Sequence, residues 1–282
     1  VRIVKTIAAM QRLSRQWQQS GTPVALVPTM GYLHKGHLSL IHRARKWAGS
    51  KGQVVVSIFV NPTQFGPRED LAKYPRDFQR DKKLCAHAGA NVIFAPAAAE
   101  MYPRDFSTWV TEEKLSRPME GVSRPTHFRG VATVVAKLFN IVQPGAAIFG
   151  LKDFQQSAVL RRMVRDLNFP VKIVLAPTVR EPDGLALSSR NKYLTALQRR
   201  QATVLYRSIR RAQSAAKKSG RPVARLTGDL RRFIAREPEA RPDYIAIFDS
   251  DSLQPLRKTA KGAHLALAVF VGKTRLIDNG PL

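Results

Sequence analysis

The apolar run Val24-Ala25-Leu26-Val27 breaks at Pro28 and passes through Thr29-Met30-Gly31-Tyr32-Leu33 into His34-Lys35-Gly36-His37-Leu38. A run, a turn and a restart of this kind predict a β-strand feeding a helix, the entrance of a nucleotide-binding α/β domain. The two histidines stand three positions apart, so a helix opening at Gly36 brings both to one side of its N-terminus. That end carries unpaired N–H groups and partial positive charge, and it favours phosphate. Imidazoles there can donate hydrogen bonds to a phosphoryl group as its charge grows. One histidine beside a helix start is ordinarily a solvated cap, whereas a pair bracketing a glycine directly after a strand points to nucleotidyl transfer. Gly31 and Gly36 have P-loop spacing, but His37-Leu38 stands where that motif needs Lys and then Ser or Thr. No Gly-x-Gly-x-x-Gly follows a strand, which argues against a dinucleotide cofactor.

The same rhythm fills the first half of the chain. Strands are expected at Val24–Val27, Val54–Val60, Asn91–Phe94, Ala146–Phe149 and Val171–Leu175, and helices at Leu38–Trp47, Phe78–His87, Val131–Ile141 and Phe154–Leu167. Such alternation predicts an α/β fold whose parallel sheet is covered on both faces, with functional loops at the strands' C-terminal ends. Pro96–Arg129, rich in prolines and charges, reads as an inserted loop region. After Asp183-Gly184 the pattern changes: helices at about Thr195–Lys218 and Val223–Ala235 precede strands at Tyr244–Phe248 and Leu265–Val271. A domain boundary is therefore expected near Gly184–Ser188, dividing the chain into 1–184 and 185–282.

No apolar stretch approaches a membrane span, and the N-terminus lacks the apolar core and cleavage site of a secretory leader. The lone Cys85 leaves no internal disulfide and no Cys-rich metal site. It is expected to pack or lie idle, in keeping with a cytoplasmic protein. Charge is the unusual quantity: 47 Lys and Arg against 20 Asp and Glu give +27, which bears on partners rather than on fold. Between Arg199 and Arg236 twelve basic residues face one acid, Asp229, on a stretch with Leu205, Ile209 and Ala212 along one helical face. A solvated charged face is the ordinary explanation, and a nucleic-acid-contacting surface is the other.

Three further constellations stand where strands should end. Asn61-Pro62-Thr63-Gln64 delivers amides able to bind a hydroxyl or a carboxylate. Gly150-Leu151-Lys152-Asp153-Phe154-Gln155-Gln156 opens another helix, and Lys152 suits β- and γ-phosphates as a point charge. Leu187-Ser188-Ser189-Arg190-Asn191 offers two hydroxyls and a guanidinium to a triphosphate tail. Each is weak alone, since Lys-Asp is commonly a surface ion pair and Ser-Ser-Arg a turn.

Together, Pro28–His37, Phe59–Phe65, Arg124-Pro125-Thr126-His127-Phe128-Arg129-Gly130, Lys152–Gln156, Asp183–Arg190 and Leu276-Ile277-Asp278-Asn279 resemble the pantothenate synthetase family over essentially the whole chain. The resemblance implies ATP-dependent condensation of (R)-pantoate with β-alanine through a pantoyl-adenylate, giving pantothenate, AMP and pyrophosphate with Mg²⁺. It also implies a Rossmann-like, doubly wound parallel sheet of the nucleotidyltransferase type, a smaller α+β C-terminal lid domain, and a homodimer. Carried over by position, Met30, Gly31, Tyr32, Leu33, His34, Lys35, Gly36 and His37 match the ATP-binding segment, with His37 as catalytic acid and His34 beside it. Gly150, Leu151, Lys152, Asp153, Val179, Leu187, Ser188, Ser189 and Arg190 match further ATP contacts, Lys152 also being catalytic. Gln64 and Gln156 match pantoate-binding glutamines, and Asn61 joins them as a substrate-binding candidate. No dedicated carboxylate cluster for a metal is visible. Leu151 and Lys35 depart from the Glu and the acidic residue frequent in the family. The +27 is also unlike a typical member. Two other readings are a class I aminoacyl-tRNA synthetase-like adenylate former, which shares the His-x-Gly-His entry, and a basic nucleic-acid-binding protein reusing the fold.

Overall fold

The computed structural model describes residues 1–67, 69–217 and 220–282, so Lys218, where the long helix was expected to end, lies outside it. The chain divides into two compact units, Val1–Leu151 with Gln155–Pro177, and Lys152–Phe154 with Thr178–Leu282.

In the first half of the chain the elements are β1 (Arg2–Val4), α1 (Ile7–Gln19), β2 (Val24–Thr29), α2 (Lys35–Ala48), β3 (Gln53–Ile58), α3 (Phe78–His87) and β4 (Val92–Phe94). There follow the short α4 (Ala98–Met101) and α5 (Glu120–Ser123), then α6 (His127–Val142), β5 (Ala146–Gly150), α7 (Phe154–Asp166) and β6 (Lys172–Ala176). The six strands form one sheet in the order β1-β4-β3-β2-β5-β6, every pair parallel. Strand order therefore reverses between β2 and β5, and open α/β sheets bind ligands at such a switch point, beyond the strands' carboxyl ends. The strands read as unbroken apolar runs because both faces are covered. Val24 and Leu26 enter a core with Met10 and Leu13 of α1 and Val131 and Val135 of α6. Ala25 and Val27 enter another with Ile41 and Ala44 of α2 and Cys85 of α3.

Several elements differ from the sequence expectation. Strand β1 is three residues long, too short for a periodic signal. Helix α1, capped by Thr6, whose Oγ1 accepts from Ala9 N at 3.3 Å, is also new. Helix α2 starts at Lys35 rather than Leu38 because its cap is a histidine, not the usual Ser, Thr, Asp or Asn. Phe59 and Val60 lie beyond the end of β3. Asn91 stays outside β4, its Oδ1 accepting from Val54 N at 2.8 Å. Helix α6 starts at His127, so the inserted region ends earlier than expected and contains two short helices.

The second unit carries α8 (Ala196–Gln201), α9 (Val204–Ala216), α10 (Val223–Ile234), β7 (Ala240–Asp249), β8 (Ala263–Val271) and β9 (Thr274–Pro281). Its strands form an antiparallel sheet in chain order, with a register shift between Pro242 and Tyr244. Leu205, Ile209, Leu226 and Leu230 of the helices pack with Ile247, Leu265 and Leu267 of the sheet. The single helix expected from Thr195 is two, broken at Ala202-Thr203, with a new capping box at Thr195 and Gln198. Strand β9 was not expected as a strand.

Candidate active site

The turn between β2 and α2 is built around a buried carboxylate. Asp81 of α3 is 1% exposed and accepts from Tyr32 N and Leu33 N, both at 2.7 Å. Burial pushes its carboxyl above the usual range, while those two bonds and Arg80 pull the other way. Gly31 has φ +81°, and a Cβ there would lie 3.0 Å from Ile58 Cγ2 and 3.1 Å from Asp81 Oδ2. Glycine is thus favoured by its conformation, and a Cβ would press on both neighbours. Tyr32 also has positive φ, +52°, with the Arg80 guanidinium 5.4 Å from its ring centre.

The turn then delivers both histidines to the N-terminus of α2. His34 is the cap: its Nδ1 accepts from Gly36 N at 3.2 Å, and His37 Nδ1 accepts from His34 N at 3.3 Å. This is a capping box made of two imidazoles. The rings stand 4.1 Å apart, tilted by 39°. An Nδ1 that accepts an N–H carries no proton, so each ring's proton sits on Nε2. Lys35 is exposed in the first turn.

Gln64 ends a 3-10 turn, Pro62–Gln64, capped by Asn61. Its side chain accepts from Asn61 Nδ2 at 3.1 Å and donates to Met30 Sδ at 3.2 Å, which ties it to the turn between β2 and α2. Asn61 is 1% exposed; it also donates to Gly130 O at 3.2 Å and accepts from Thr63 Oγ1 at 2.9 Å. Its amide is consumed inside the protein. The Gln64 carbonyl accepts from Arg124 Nη2 at 3.1 Å and from His127 Nδ1 at 2.9 Å. Arg124 is in turn held by Glu69, with Nε–Oε1 2.7 Å and Nη2–Oε2 2.6 Å. Burial, with Arg124 adding to it, brings His127 down to about 4. Gln155 is spent on Leu115 O, Pro118 O and Glu120 N, which leaves half-buried Gln156 as the amide of that pair for a ligand.

Gly150 closes β5 opposite Ala176. Leu151 opens a 3-10 turn, Leu151–Asp153, so the β2 and β5 motifs leave the two strands at the switch point. Within the second unit, Lys152 Nζ lies 3.4 Å from Asp153 Oδ1, and Lys152 O accepts from Asn279 Nδ2 at 2.8 Å. Val179 O accepts from Leu187 N at 3.0 Å across a tight hairpin. Ser188 caps the 3-10 turn Ser189–Tyr193, its Oγ accepting from Arg190 N at 3.3 Å. Cys85 is buried, and burial with Asp81 nearby pushes its thiol up to about 12, so it remains protonated and packs. Among the described residues, no three His, Cys, Asp or Glu side chains gather into a metal site, and no helix is long and apolar enough to cross a membrane.

Sequence reasoning had no role for Asp81, Arg124, His127 or Asn279. The last three stood in quoted motifs, whereas Asp81 sits in an unremarkable charged helix and gave no signal.

The family model of pantoate-beta-alanine ligase matches residues 2–281. The chain belongs to the pantoate–β-alanine ligase family. The pantothenate synthetase of Moorella thermoacetica is 55% identical over 277 residues, 98% of this chain and 97% of that protein. That of Thermotoga neapolitana is 51% identical over 279 residues, 99% of each. The solved pantothenate synthetase of Thermus thermophilus has a TM-score of 0.90 at 48% identity, covering 99% of both chains. The Francisella tularensis pantoate-beta-alanine ligase, solved with beta-gamma ATP and β-alanine, has a TM-score of 0.82 at 34% identity, covering 100% of this chain and 97% of that one. A family match that spans the chain decides against the aminoacyl-tRNA synthetase reading.

Proposed function

We propose that this chain condenses (R)-pantoate with β-alanine at the expense of ATP. The observation that carries the reading is the double-imidazole capping box at the sheet's switch point, in a member of this family. A pantoate carboxylate oxygen attacks the α-phosphorus, and the bond to the pyrophosphate oxygen breaks in line. Nε2–H of His34 and of His37 donate to the α-phosphoryl oxygens as their charge grows, His37 acting as acid. Met30–Gly36 and Gly150–Leu151 line the nucleotide's path. Lys152 neutralises the leaving tail, assisted by Asp153, Val179, Leu187, Ser188, Ser189 and Arg190.

Gln64 and Gln156 grip pantoate. Asn61 acts through Gln64, since its own amide is already engaged. The neutral amine of β-alanine then attacks the acyl carbon, and AMP leaves with the electron pair of the mixed-anhydride C–O bond. This chain's described side chains fit a Mg²⁺ ion poorly on their own. Mg²⁺ belongs instead with the ATP phosphates, which supply hard oxygen ligands, and no step here is routed through it.

The working form is a cytoplasmic homodimer, with 1–184 binding nucleotide and pantoate and 185–282 serving as a lid. Light scattering tests the dimer. Product analysis after mixing the protein with ATP, Mg²⁺, pantoate and β-alanine tests the reaction. Pantothenate, AMP and pyrophosphate in equal amounts are expected, and their absence removes the reading.

A further inference from the structure

We propose that Asn279 is a positioning residue for Lys152: its amide anchors the main chain of the lysine-bearing turn to β9, beside an acid that anchors the hairpin leading to Ser188. The proposal rests on the adenylate-forming reading above and deepens it.

Asn279 is 8% exposed and bonded at both ends of its amide. Nδ2 donates to Lys152 O at 2.8 Å, and Oδ1 accepts from His264 Nε2 at 3.0 Å. The His264 ring stacks on Phe154, centroids 3.9 Å apart and planes 18° apart, and Phe248 lies 5.9 Å from Phe154. The turn Lys152–Phe154 is therefore held at its first residue by an amide and at its last by an aromatic stack.

Its chain neighbour serves the other segment. Asp278, 2% exposed, accepts from Arg180 Nη1 at 2.6 Å and Nη2 at 2.9 Å, and from Asn279 N at 2.8 Å. Arg180 donates onward to Gly184 O at 3.0 Å and lies 4.5 Å from the Tyr206 ring centre. Gly184, at φ +92°, has no room for a Cβ, which would fall 2.0 Å from Tyr206 Cδ1. The hairpin Val179–Leu187 that precedes Ser188 is thus pinned from the same dipeptide. A lysine ammonium rides on a flexible four-carbon stem. Fixing its main chain is the available way to hold it against the tail of bound ATP, so loosening that anchor weakens ATP binding and raises the KM for ATP.

The test measures pyrophosphate release with ATP and pantoate varied in turn, alongside thermal melting, for wild type, Asn279→Ala and His264→Phe. Asn279→Ala is expected to raise the KM for ATP about tenfold with the KM for pantoate within about twofold. His264→Phe keeps an aromatic ring on Phe154 but loses the donor to Asn279, and is expected to move the KM for ATP about threefold in the same direction. A merely structural role would lower the active fraction, and so kcat, without separating the two KM values. Unchanged KM for ATP in the folded variants, or equal change in both KM values, overturns the proposal. Should Asn279→Ala fail to fold, His264→Phe decides by the same criterion. An inactive wild type removes the adenylate-forming reading itself, whereas an active wild type with unaffected variants removes only the positioning role.

Discussion

A histidine used as a helix cap spends Nδ1 on the backbone and presents Nε2–H with its direction already set. His34 and His37 do this reciprocally, so the bonds that start α2 also orient two donors, which in the role proposed above would need no reorganisation as phosphoryl charge develops. Capping and catalysis can be separated with His34→Asn, since asparagine is a strong cap but lacks the reach of Nε2. The melting temperature should hold, while pyrophosphate release should fall roughly 100-fold or more; an unaltered rate would refute the assignment. His127 makes a second prediction. Folding lowers it to about 4 from 6.5. Between those pH values the unfolded chain binds a proton that the folded one refuses, so its contribution is complete above about 6.5 and drains away as pH falls toward 4. The loss amounts to about 3 kcal/mol. His264, also lowered by burial, adds in the same sense. Denaturation of His127→Gln at pH 7 and pH 4.5 should show a gap between the two stabilities smaller by about 2 kcal/mol than in wild type; an equal gap would rule this out.

Helix α6 and the Asn61–Phe65 segment form one device. A Cβ on Gly130 would lie 2.4 Å from Thr63 O and 2.7 Å from Gln64 N, so the helix approaches the loop backbone as closely as glycine permits. Arg124, a few residues before it, and His127, in its first turn, meanwhile hold the Gln64 carbonyl. Gly130→Ala must push the two apart. It should destabilise the protein by about 1–3 kcal/mol, and it should raise the KM for pantoate more than that for ATP, because Gln64 moves and the histidines stay. Chemical denaturation and initial rates check both, and equal effects on the two substrates would contradict the device. The Arg124–Gly130 motif is therefore a scaffold for Gln64 rather than a ligand set of its own.

At the scale of the whole molecule the +27 net charge should steer the encounter with anionic substrates. ATP and pantoate are anions, whereas β-alanine is net neutral. Raising ionic strength from about 0.01 to 0.1 M shortens the Debye length from about 30 to about 10 Å. The kcat/KM for ATP should fall severalfold over that range and that for β-alanine hardly at all; a flat response for ATP would show that the charge does not steer. Periodicity and local motifs made strands β2 to β6 and helices α2, α3, α6 and α7 readable directly, and they singled out His34, His37, Gln64 and Lys152 as candidates, because strand alternation, turn glycines and helix starts are encoded by near neighbours. Three-residue β1, the break at Ala202-Thr203 and β9 carried too little local signal. Asp81 lies 48 residues from the Leu33 amide it holds, Arg124 lies 60 from the Gln64 carbonyl, and Asn279 lies 127 from Lys152. The sequence by itself determined where strands and helices alternate and which groups stand as candidates for the chemistry. Only the tertiary structure decided which buried polar groups hold them in place, because a buried donor or acceptor takes whatever partner folding brings to it, at any distance along the chain.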